Sequence, residues 1–350
     1  MKKILICCLL FFIQNNILAQ DTLYIKSFDD YFTIKTGATY RALNFILSPR
    51  INGITQYLQP IWYRPIVRSS LSIDVAFKDL SIGWSFGLAQ NRLFSGKQTE
   101  SKYLDFQMHS SLTKKLTYDL YYQDYQGYFI ENLDNRLAGK ALEQRDDIRL
   151  KNISVNISYI FNAERFSHNA AFSQSKKQLK NAGSLILTSS LGYFQAKADS
   201  NFISQNTSVT FEPQAYVNNV SFYTFSVSPG YAYTFLIGKK GWQVSAGVSA
   251  SIGLQYNENV GNTSYQTDFN YFLKGIARAF VGYHGNIWVV GVSGLTDIQG
   301  LNTKYVQYRT NNLNATFFCI YKIKSKWMQG KKSFFGKNKN LDNQTINKSN

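Results

Sequence analysis

Cysteine is scarce in this chain of 350 residues. Of its three cysteines, Cys7 and Cys8 lie inside an apolar run near the N-terminus, and only Cys319 lies beyond it. A single remaining thiol excludes an internal disulfide framework and any zinc site built on several thiolates. The folded part must therefore be stabilised by side-chain burial rather than by cross-links.

Long apolar runs are also missing. The ten apolar residues 4–13 are about half of what a spanning helix needs. Lys2 and Lys3 precede this run and Ala19 follows it, which is typical of a secretory signal peptide over residues 1–19. Beyond Ala19 no stretch reaches about eighteen consecutive apolar residues, so the exported chain either is soluble or crosses a membrane with strands.

Acidic residues are few, and the formal charge is +17. Lys2 and Lys3 contribute two of these charges and residues 324–350 contribute six, which leaves +9 for the segment between them. We expect residues 324–350 to be a basic, disordered periplasmic tail. An exported basic chain meets lipopolysaccharide and anionic lipid, and we expect no nucleic-acid partner.

A period of two in hydrophobicity is the strongest pattern in the chain. Within residues 242–256 every even position is apolar or aromatic, from Trp242 to Tyr256, and every odd position is Gln, Ser or Gly. This alternation predicts a long strand with one apolar and one polar face. The same pattern predicts strands over residues 31–47, 66–78, 80–90, 101–113, 116–130, 147–161, 184–198, 220–237, 242–256, 267–284, 287–298 and 305–323.

The connections between these strands alternate in length. Short turns fall at residues 78–79, 114–115 and 238–241, and longer polar stretches at residues 48–65, 131–147 and 199–219, an asymmetry typical of outer-membrane barrels. Roughly eight strands already enclose only enough room for side chains, so a wider barrel with an apolar lining would be left hollow. We therefore expect the apolar faces to meet lipid and the polar faces to line a wet interior.

The predicted fold is an all-β antiparallel transmembrane barrel of about twelve strands over residues 20–323, with ten or fourteen strands as alternatives. An even count requires residues 162–183 to be a non-spanning insertion on the periplasmic side. We predict a helix there, with Ser167 as its N-cap and Gly183 as its stop. The alternative makes residues 166–172 another strand and changes the count.

Only five prolines occur. A closed barrel has no free edge at which a missing N–H is harmless, so proline should fall in connections. Four of them do fall in predicted loops: Pro49, Pro60, Pro65 and Pro213. Pro229 falls inside a predicted strand, where we expect a bulge over residues 228–230.

Few residues suit catalysis, because histidine occurs only three times. His109 and Ser111 resemble the His-x-Ser dyad of outer-membrane phospholipases, yet their strand face points to the interior rather than the bilayer. His168 and His284 have no partners at metal-ligand spacing. No phosphate loop, nucleophile elbow or zinc motif occurs, so we expect no cofactor, no metal and no enzyme, with a lipid hydrolase as the alternative.

Basic residues on the polar strand faces are the other candidate site. Lys274 and Arg278 lie four apart on one face, and Lys35 and Arg41 share another, so all four should line the lumen. An unpaired set would favour anionic solutes. We favour pairing with interior carboxylates instead, because charges inside barrels are commonly paired. The candidates for these partners are Asp74, Asp105 and Asp119.

Several stretches carry a family resemblance. They are Tyr-Arg-Pro at 63–65, Tyr-Leu-Asp-Phe-Gln at 103–107, Tyr-Asp-Leu-Tyr-Tyr-Gln at 118–123, Arg-Phe-Ser at 165–167, Ala-Phe-Ser-Gln at 171–174, Gln-Leu-Lys at 178–180, Ala-Gly-Ser at 182–184 and Ser-Pro-Gly-Tyr-Ala-Tyr at 228–233. Together they resemble a Bacteroidota family of uncharacterised exported proteins, a domain of unknown function. The resemblance covers nearly the whole mature chain and implies an outer-membrane barrel, without implying an activity.

We therefore expect a non-enzymatic barrel in the cell outer membrane, either a narrow channel for small solutes or a closed structural barrel. Its expected partners are outer-membrane lipid, lipopolysaccharide and the barrel-assembly machinery. Two alternatives stay open: the lipid-active enzyme, and a scaffold that holds a periplasmic partner through residues 162–183 or the tail.

Overall fold

A computed structural model describes residues 23–28, 30–56, 60–87, 102–131, 143–203, 211–238, 241–261 and 265–324. The predicted signal peptide and the tail beyond residue 324 lie outside these ranges. The strands are β1 (Ile25–Ser27), β2 (Tyr31–Ile51), β3 (Ile54–Thr55), β4 (Ile61–Pro65), β5 (Ser69–Phe77), β6 (Leu80–Gly87), β7 (Lys102–Ser111), β8 (Leu116–Glu131), β9 (Glu143–Ile160), β10 (Lys176–Gln178), β11 (Ala182–Lys197), β12 (Asn219–Ile237), β13 (Trp242–Val260), β14 (Tyr265–His284), β15 (Trp288–Asn302) and β16 (Val306–Lys324).

Twelve of these strands form a closed antiparallel ring. The order runs β2, β5, β6, β7, β8, β9, β11, β12, β13, β14, β15 and β16, and β16 pairs back onto β2. The closing register extends from Val306 opposite Pro49 to Lys324 opposite Tyr31. The predicted twelve-stranded transmembrane barrel is confirmed.

The two ends of the barrel differ as the alternating connections predict. The turns after β5, β7, β12 and β14, the segment 161–181 and the outer ends of β2 and β16 all lie at one end, here called the short-turn end. The longer connections lie at the other, the long-loop end. Residues 161–181 therefore do not span the barrel.

The barrel narrows toward the long-loop end. There β4 pairs with β2 through residues 61–63 and with β8 through residues 62–65. Nearer the short-turn end the same gap is filled by β5, β6 and β7, so the ring falls from twelve strands to ten. A register shift bends β8 at Gly127, whose φ of 91° suits glycine, and its carbonyl accepts the Ile66 N–H at 3.1 Å.

An apolar belt surrounds the barrel. On β13 the even-numbered side chains from Trp242 to Leu254 point outward, and Val248 and Ile252 are each 65% exposed. Aromatic pairs flank the belt at the short-turn end, where Trp242 contacts Tyr283, and at the long-loop end, where Tyr223 contacts Tyr256. Trp242 and Tyr256 lie fourteen residues apart, which at ~3.3 Å per residue and a tilt of about 40° matches a bilayer.

The expected polar lining is wrong for the long-loop half, whose interior is an apolar core. Phe45, Tyr63, Tyr128 and Phe222 are fully buried there. The connection from β11 to β12, drawn from sequence as a polar loop, adds Phe202 and other apolar side chains. A ten-stranded ring is narrow enough for these side chains to fill, which the size argument from twelve strands did not allow for.

The short-turn half is closed by residues 161–181, here called the plug. A helix forms only over Asn169–Ser173, after which β10 begins at Lys176 and β11 at Ala182. The predicted extent to Gly183 is thus wrong, and the N-cap is His168 rather than Ser167, although Ser167 Oγ does accept the Ala170 N–H at 3.1 Å. No helix in the described part of the chain is long and apolar enough to cross a membrane.

Prolines depart from expectation at three positions. Pro49 and Pro65 lie in β2 and β4 rather than in loops. Pro229 lies inside β12 without a bulge, because the register against β13 is the same before it, at Val227 opposite Ile252, as after it. The pairing of β12 with β13 is interrupted only at Ser228 and Pro229, because proline has no N–H to donate.

Burial of the belt in hydrocarbon predicts a depth-dependent cost of charge. Val248→Arg, near the middle of the belt, should destabilise the barrel by about 2–4 kcal/mol, whereas Val260→Arg at its edge should cost about 0–1 kcal/mol. Equilibrium unfolding in lipid vesicles measures both. Equal costs at the two depths would contradict the membrane-spanning belt.

Candidate functional site

A polar layer lies between the plug and the apolar core. It contains the four basic side chains predicted to line the lumen, and each one pairs with a carboxylate. Two of the pairs join neighbouring strands, and the other two, those of Arg41 and Arg278, cross the interior. Lys274 pairs with Asp297 at 2.9 Å, and Lys35 pairs with Asp74 at 3.8 Å. The interior charges among the described residues thus form ion pairs, as the sequence favoured.

Glycine shapes one of these pairs. A Cβ on Gly83 would lie 1.7 Å from Oδ1 of Asp74. The carboxylate that faces Lys35 therefore occupies space that only a glycine on the neighbouring strand leaves open.

Arg41 and Asp105 form the most buried pair. Their side chains are 5% and 0% exposed and are in direct contact. Asp105 also accepts hydrogen bonds from Tyr125 Oη at 2.6 Å and from Gln123 and Gln107 Nε2 at 2.9 and 3.1 Å. Four donors therefore surround one carboxylate, the arrangement that makes burial of a charge tolerable.

Two adjoining cavities of about 140 Å³ each occupy the polar layer. Both are lined by Lys35, Asp74, Tyr121, Arg278 and the plug residue Phe172. Such volumes hold a few water molecules at most, and the lining is polar enough to bind them. The cavities lie between the plug and the apolar core.

The candidate dyad of His109 and Ser111 does not form. Asn169 of the plug lies between them: its Oδ1 is 2.9 Å from His109 Nε2 and 3.2 Å from Ser111 Oγ. His109 Nδ1 lies 2.6 Å from Asp119, which Arg278 also contacts at 3.3 Å. Both ring nitrogens of His109 are therefore occupied, and neither of them contacts the Ser111 hydroxyl.

The plug is fastened to the barrel wall by polar contacts. Asp79, in the turn after β5, accepts a hydrogen bond from Asn169 Nδ2 at 3.2 Å and forms an ion pair with Lys176 at 2.9 Å. Gln243 of β13 donates to the Ala170 carbonyl at 2.8 Å. Sequence reasoning missed these anchors, because a turn aspartate and an insertion asparagine look like ordinary surface residues until the plug folds inward.

The other two histidines are structural. His284, at the end of β14, is 3.2 Å from Gln174 Oε1 of the plug. His168 stacks on His109 with ring centroids 5.7 Å apart. Burial lowers the pKa of His168 to about 3, and the nearby positive charge of Arg278 contributes. No group of three metal-binding side chains exists among the residues that the structure describes.

Comparison with known proteins identifies the fold family and no activity. The family model described as "Domain of unknown function (DUF4421)" matches residues 19–323. No curated protein matches the chain. Among solved structures, the Escherichia coli outer membrane protease OmpT is 9% identical, with 87% of this chain and 100% of that chain covered and a TM-score of 0.37.

Two further structures are similar at the same low level. The outer membrane protein OprG from Pseudomonas aeruginosa is 8% identical, with 87% of this chain and 99% of that chain covered and a TM-score of 0.26. The P. putida toluene transporter TodX is 7% identical, with 84% and 90% covered and a TM-score of 0.27. Likenesses this weak assign neither proteolysis nor transport to this chain.

Breaking the buried pair should be costly. Asp105→Asn leaves the Arg41 guanidinium buried beside a neutral amide, which should destabilise the barrel by about 3–5 kcal/mol, whereas the double change Arg41→Met with Asp105→Leu should recover most of that loss. Arg149→Gln is the control, because Arg149 is 44% exposed beside Asp124 and should cost under about 1 kcal/mol. Unfolding in urea measures all three, and equal losses for Asp105→Asn and Arg149→Gln would contradict the buried pair.

Acid should weaken the barrel through His168. Its pKa is about 3 in the fold and about 6.5 in an unfolded chain. The unfolded chain therefore takes up the proton first, and stability that is complete above pH 6.5 is lost as pH falls toward 3. Relative to His168→Asn, the wild type should lose about 2 kcal/mol between pH 7 and pH 5. Parallel pH profiles of unfolding for the two proteins would show that His168 is not buried in the neutral form.

Proposed function

The chain belongs to the family described as "Domain of unknown function (DUF4421)", and since that family has no assigned activity, we propose from the geometry that the protein is a closed, non-enzymatic barrel of the cell outer membrane. The observation that carries this proposal is the double closure of the lumen. Its role is structural: a stable transmembrane wall that presents two different surfaces at its ends.

The apolar belt supports the membrane location. Outward-facing side chains on β14, such as Phe269, Tyr271 and Leu273, are each at least 64% exposed. A continuous exposed apolar surface of this kind is incompatible with a soluble monomer and matches hydrocarbon. An exported chain with such a barrel belongs in the outer membrane, with lipid and lipopolysaccharide around it and the barrel-assembly machinery as the route of insertion.

Two independent layers support closure. At the long-loop end the described core takes apolar side chains from every strand of the narrow ring except β13, and its members Phe45, Tyr63 and Tyr308 are each no more than 1% exposed. At the short-turn end the plug buries Phe166 and Ala170 to 1% exposure or less. A solute would have to displace both layers to pass.

The same geometry argues against the two alternatives. A lipid hydrolase needs a nucleophile that meets the bilayer, whereas Ser111 points into the lumen and bonds to Asn169. A scaffold that acts through residues 162–183 needs that segment at a surface, whereas most of its side chains from Phe166 to Gln178 are buried inside the barrel. The tail, the other segment of the scaffold hypothesis, lies outside the described residues.

Orientation follows from the strand count. An even number of strands places both barrel termini at one end, which in single-chain barrels is periplasmic. The short-turn end and its plug would then face the periplasm, and the apolar core with the long connections would face outward.

Single-channel recording in planar bilayers tests closure. We expect no discrete openings from the wild-type protein. Replacing residues 165–179 by a short Gly-Ser linker should still give none, because the apolar core remains. Adding Phe45→Ser and Phe222→Ser to that deletion should produce discrete openings, because both layers are then breached.

Folding of each variant is checked by its β-sheet circular dichroism in detergent, so that a misfolded variant without channel openings is not mistaken for a closed barrel. The Phe45→Ser and Phe222→Ser pair without the deletion is the matched control and should be silent. Discrete openings from the wild-type protein would overturn the proposal in favour of a channel.

A further inference from the structure

The positive charge of the described chain is concentrated at the short-turn end. The described residues 23–28, 30, 78–79, 112–115, 161–181 and 322–324 contribute ten Lys and Arg side chains against three acidic ones, Asp30, Asp79 and Glu164. The polar layer inside the barrel is paired, and the long-loop end carries basic and acidic residues in nearly equal number. The excess charge is therefore a property of one rim.

Three lysines meet at the centre of that rim. Lys26 of β1 lies directly opposite Lys177 of β10 in the antiparallel pair. Lys177 Nζ donates to the His284 carbonyl at 2.8 Å, and Lys322 Nζ donates to the adjacent Gly285 carbonyl at 3.0 Å. Because His284 and Gly285 are consecutive, Lys177 and Lys322 both bind the backbone at the end of β14.

This arrangement opposes the folding of the segment that carries it. Like charges directly opposite each other destabilise a strand pair, and a two-stranded sheet with three residues on each side is marginal by itself. Among the described residues, none of the three lysines forms an ion pair with a carboxylate. Burial, and then the Lys26 ammonium, lower the pKa of Lys177, which is the direction expected when positive charge lacks a counter-charge.

The site is nevertheless fixed in place. The Lys322 ammonium lies 3.8 Å from the ring centroid of Phe28, and Phe28 is 7% exposed and stacks on His284 at 6.0 Å. The hydrogen bonds to carbonyl groups use one of the three donors on each of Lys177 and Lys322. Donors therefore remain on a rigid frame that grades from inside to outside, since Lys322 is 3% exposed, Lys177 is half-buried and Lys26 is exposed.

We infer that Lys26, Lys177 and Lys322 form a binding site for a phosphoryl oxyanion at the short-turn end of the barrel. A doubly charged tetrahedral anion offers several oxygens to ammonium groups that converge from different directions, whereas a carboxylate offers one charge in one plane. The site lies outside the closed lumen, so the inference goes beyond the proposed barrel function and does not depend on it. A free phosphate or the phosphomonoester headgroup of phosphatidic acid would supply the same chemistry.

Thermal unfolding in detergent tests the site, with inorganic phosphate as the probe and chloride at equal ionic strength as the reference. In chloride, Lys26→Gln should be as stable as the wild type or more stable, because a like-charge pair is removed. In phosphate the order should reverse, because only the wild type gains stability from the bound anion. Lys115→Gln, on the same rim and away from the three lysines, should follow the wild type in both salts.

Calorimetric titration with phosphate gives the affinity directly. Lys26→Gln and Lys322→Gln should each weaken binding roughly tenfold, the equivalent of about 1.4 kcal/mol. Titration after reconstitution into vesicles distinguishes the sources: phosphatidic acid should compete with added phosphate if a lipid headgroup is the occupant, and it should have no effect if free phosphate is. Equal phosphate binding by the wild type and both variants, or no binding beyond that of chloride, would overturn the inference.

Discussion

Closure of β16 onto β2 is the interaction on which the rest of the structure depends. Inside hydrocarbon no water is available for an unpaired N–H or C=O, so a sheet that spans a membrane must have no free edge. The nineteen residue pairs from Val306 opposite Pro49 to Lys324 opposite Tyr31 remove that edge. Once the ring is closed, the outward faces can be uniformly apolar, and the inward faces are free to hold groups that lipid would reject.

What the interior holds is decided by the width of the ring. Where β5, β6 and β7 complete twelve strands, the lumen is too wide for wall side chains to fill, and it contains ion pairs, cavities and an inserted plug. Where β4 replaces those three strands, the ring narrows and apolar side chains such as Phe45 and Tyr308 fill it. A short strand of five residues, Ile61–Pro65, thus separates the polar interior of the short-turn half from the apolar core of the long-loop half.

The strands were predictable from sequence because their signal is local. The alternation over residues 242–256 identified β13, and the need for an even strand count placed the insertion 162–183 at the end where the plug is found. The apolar core of the long-loop half was not predictable in this way. Leu43, Phe45 and Leu47 continue an apolar face on β2, but no local sequence pattern indicates that β4 and Phe202 will contact them. Likewise, the helix in the plug was predicted to be longer than it is. The hydrogen bonds of Asn169 to Asp79 and Ser111 hold the segment in place, and such long-range contacts leave no local signal in the sequence.

The location of charge bears on whether the barrel conducts. A pore selects ions through unmatched charges of one sign along its path, yet Lys35, Arg41, Lys274 and Arg278 each have a carboxylate within the polar layer. Separating one of these pairs inside a low-dielectric wall costs more than a passing ion would return. The unmatched charge instead lies at the short-turn rim, beyond the plug. Recognition of an anion at that rim and closure of the lumen are therefore compatible, since neither requires the interior pairs to open.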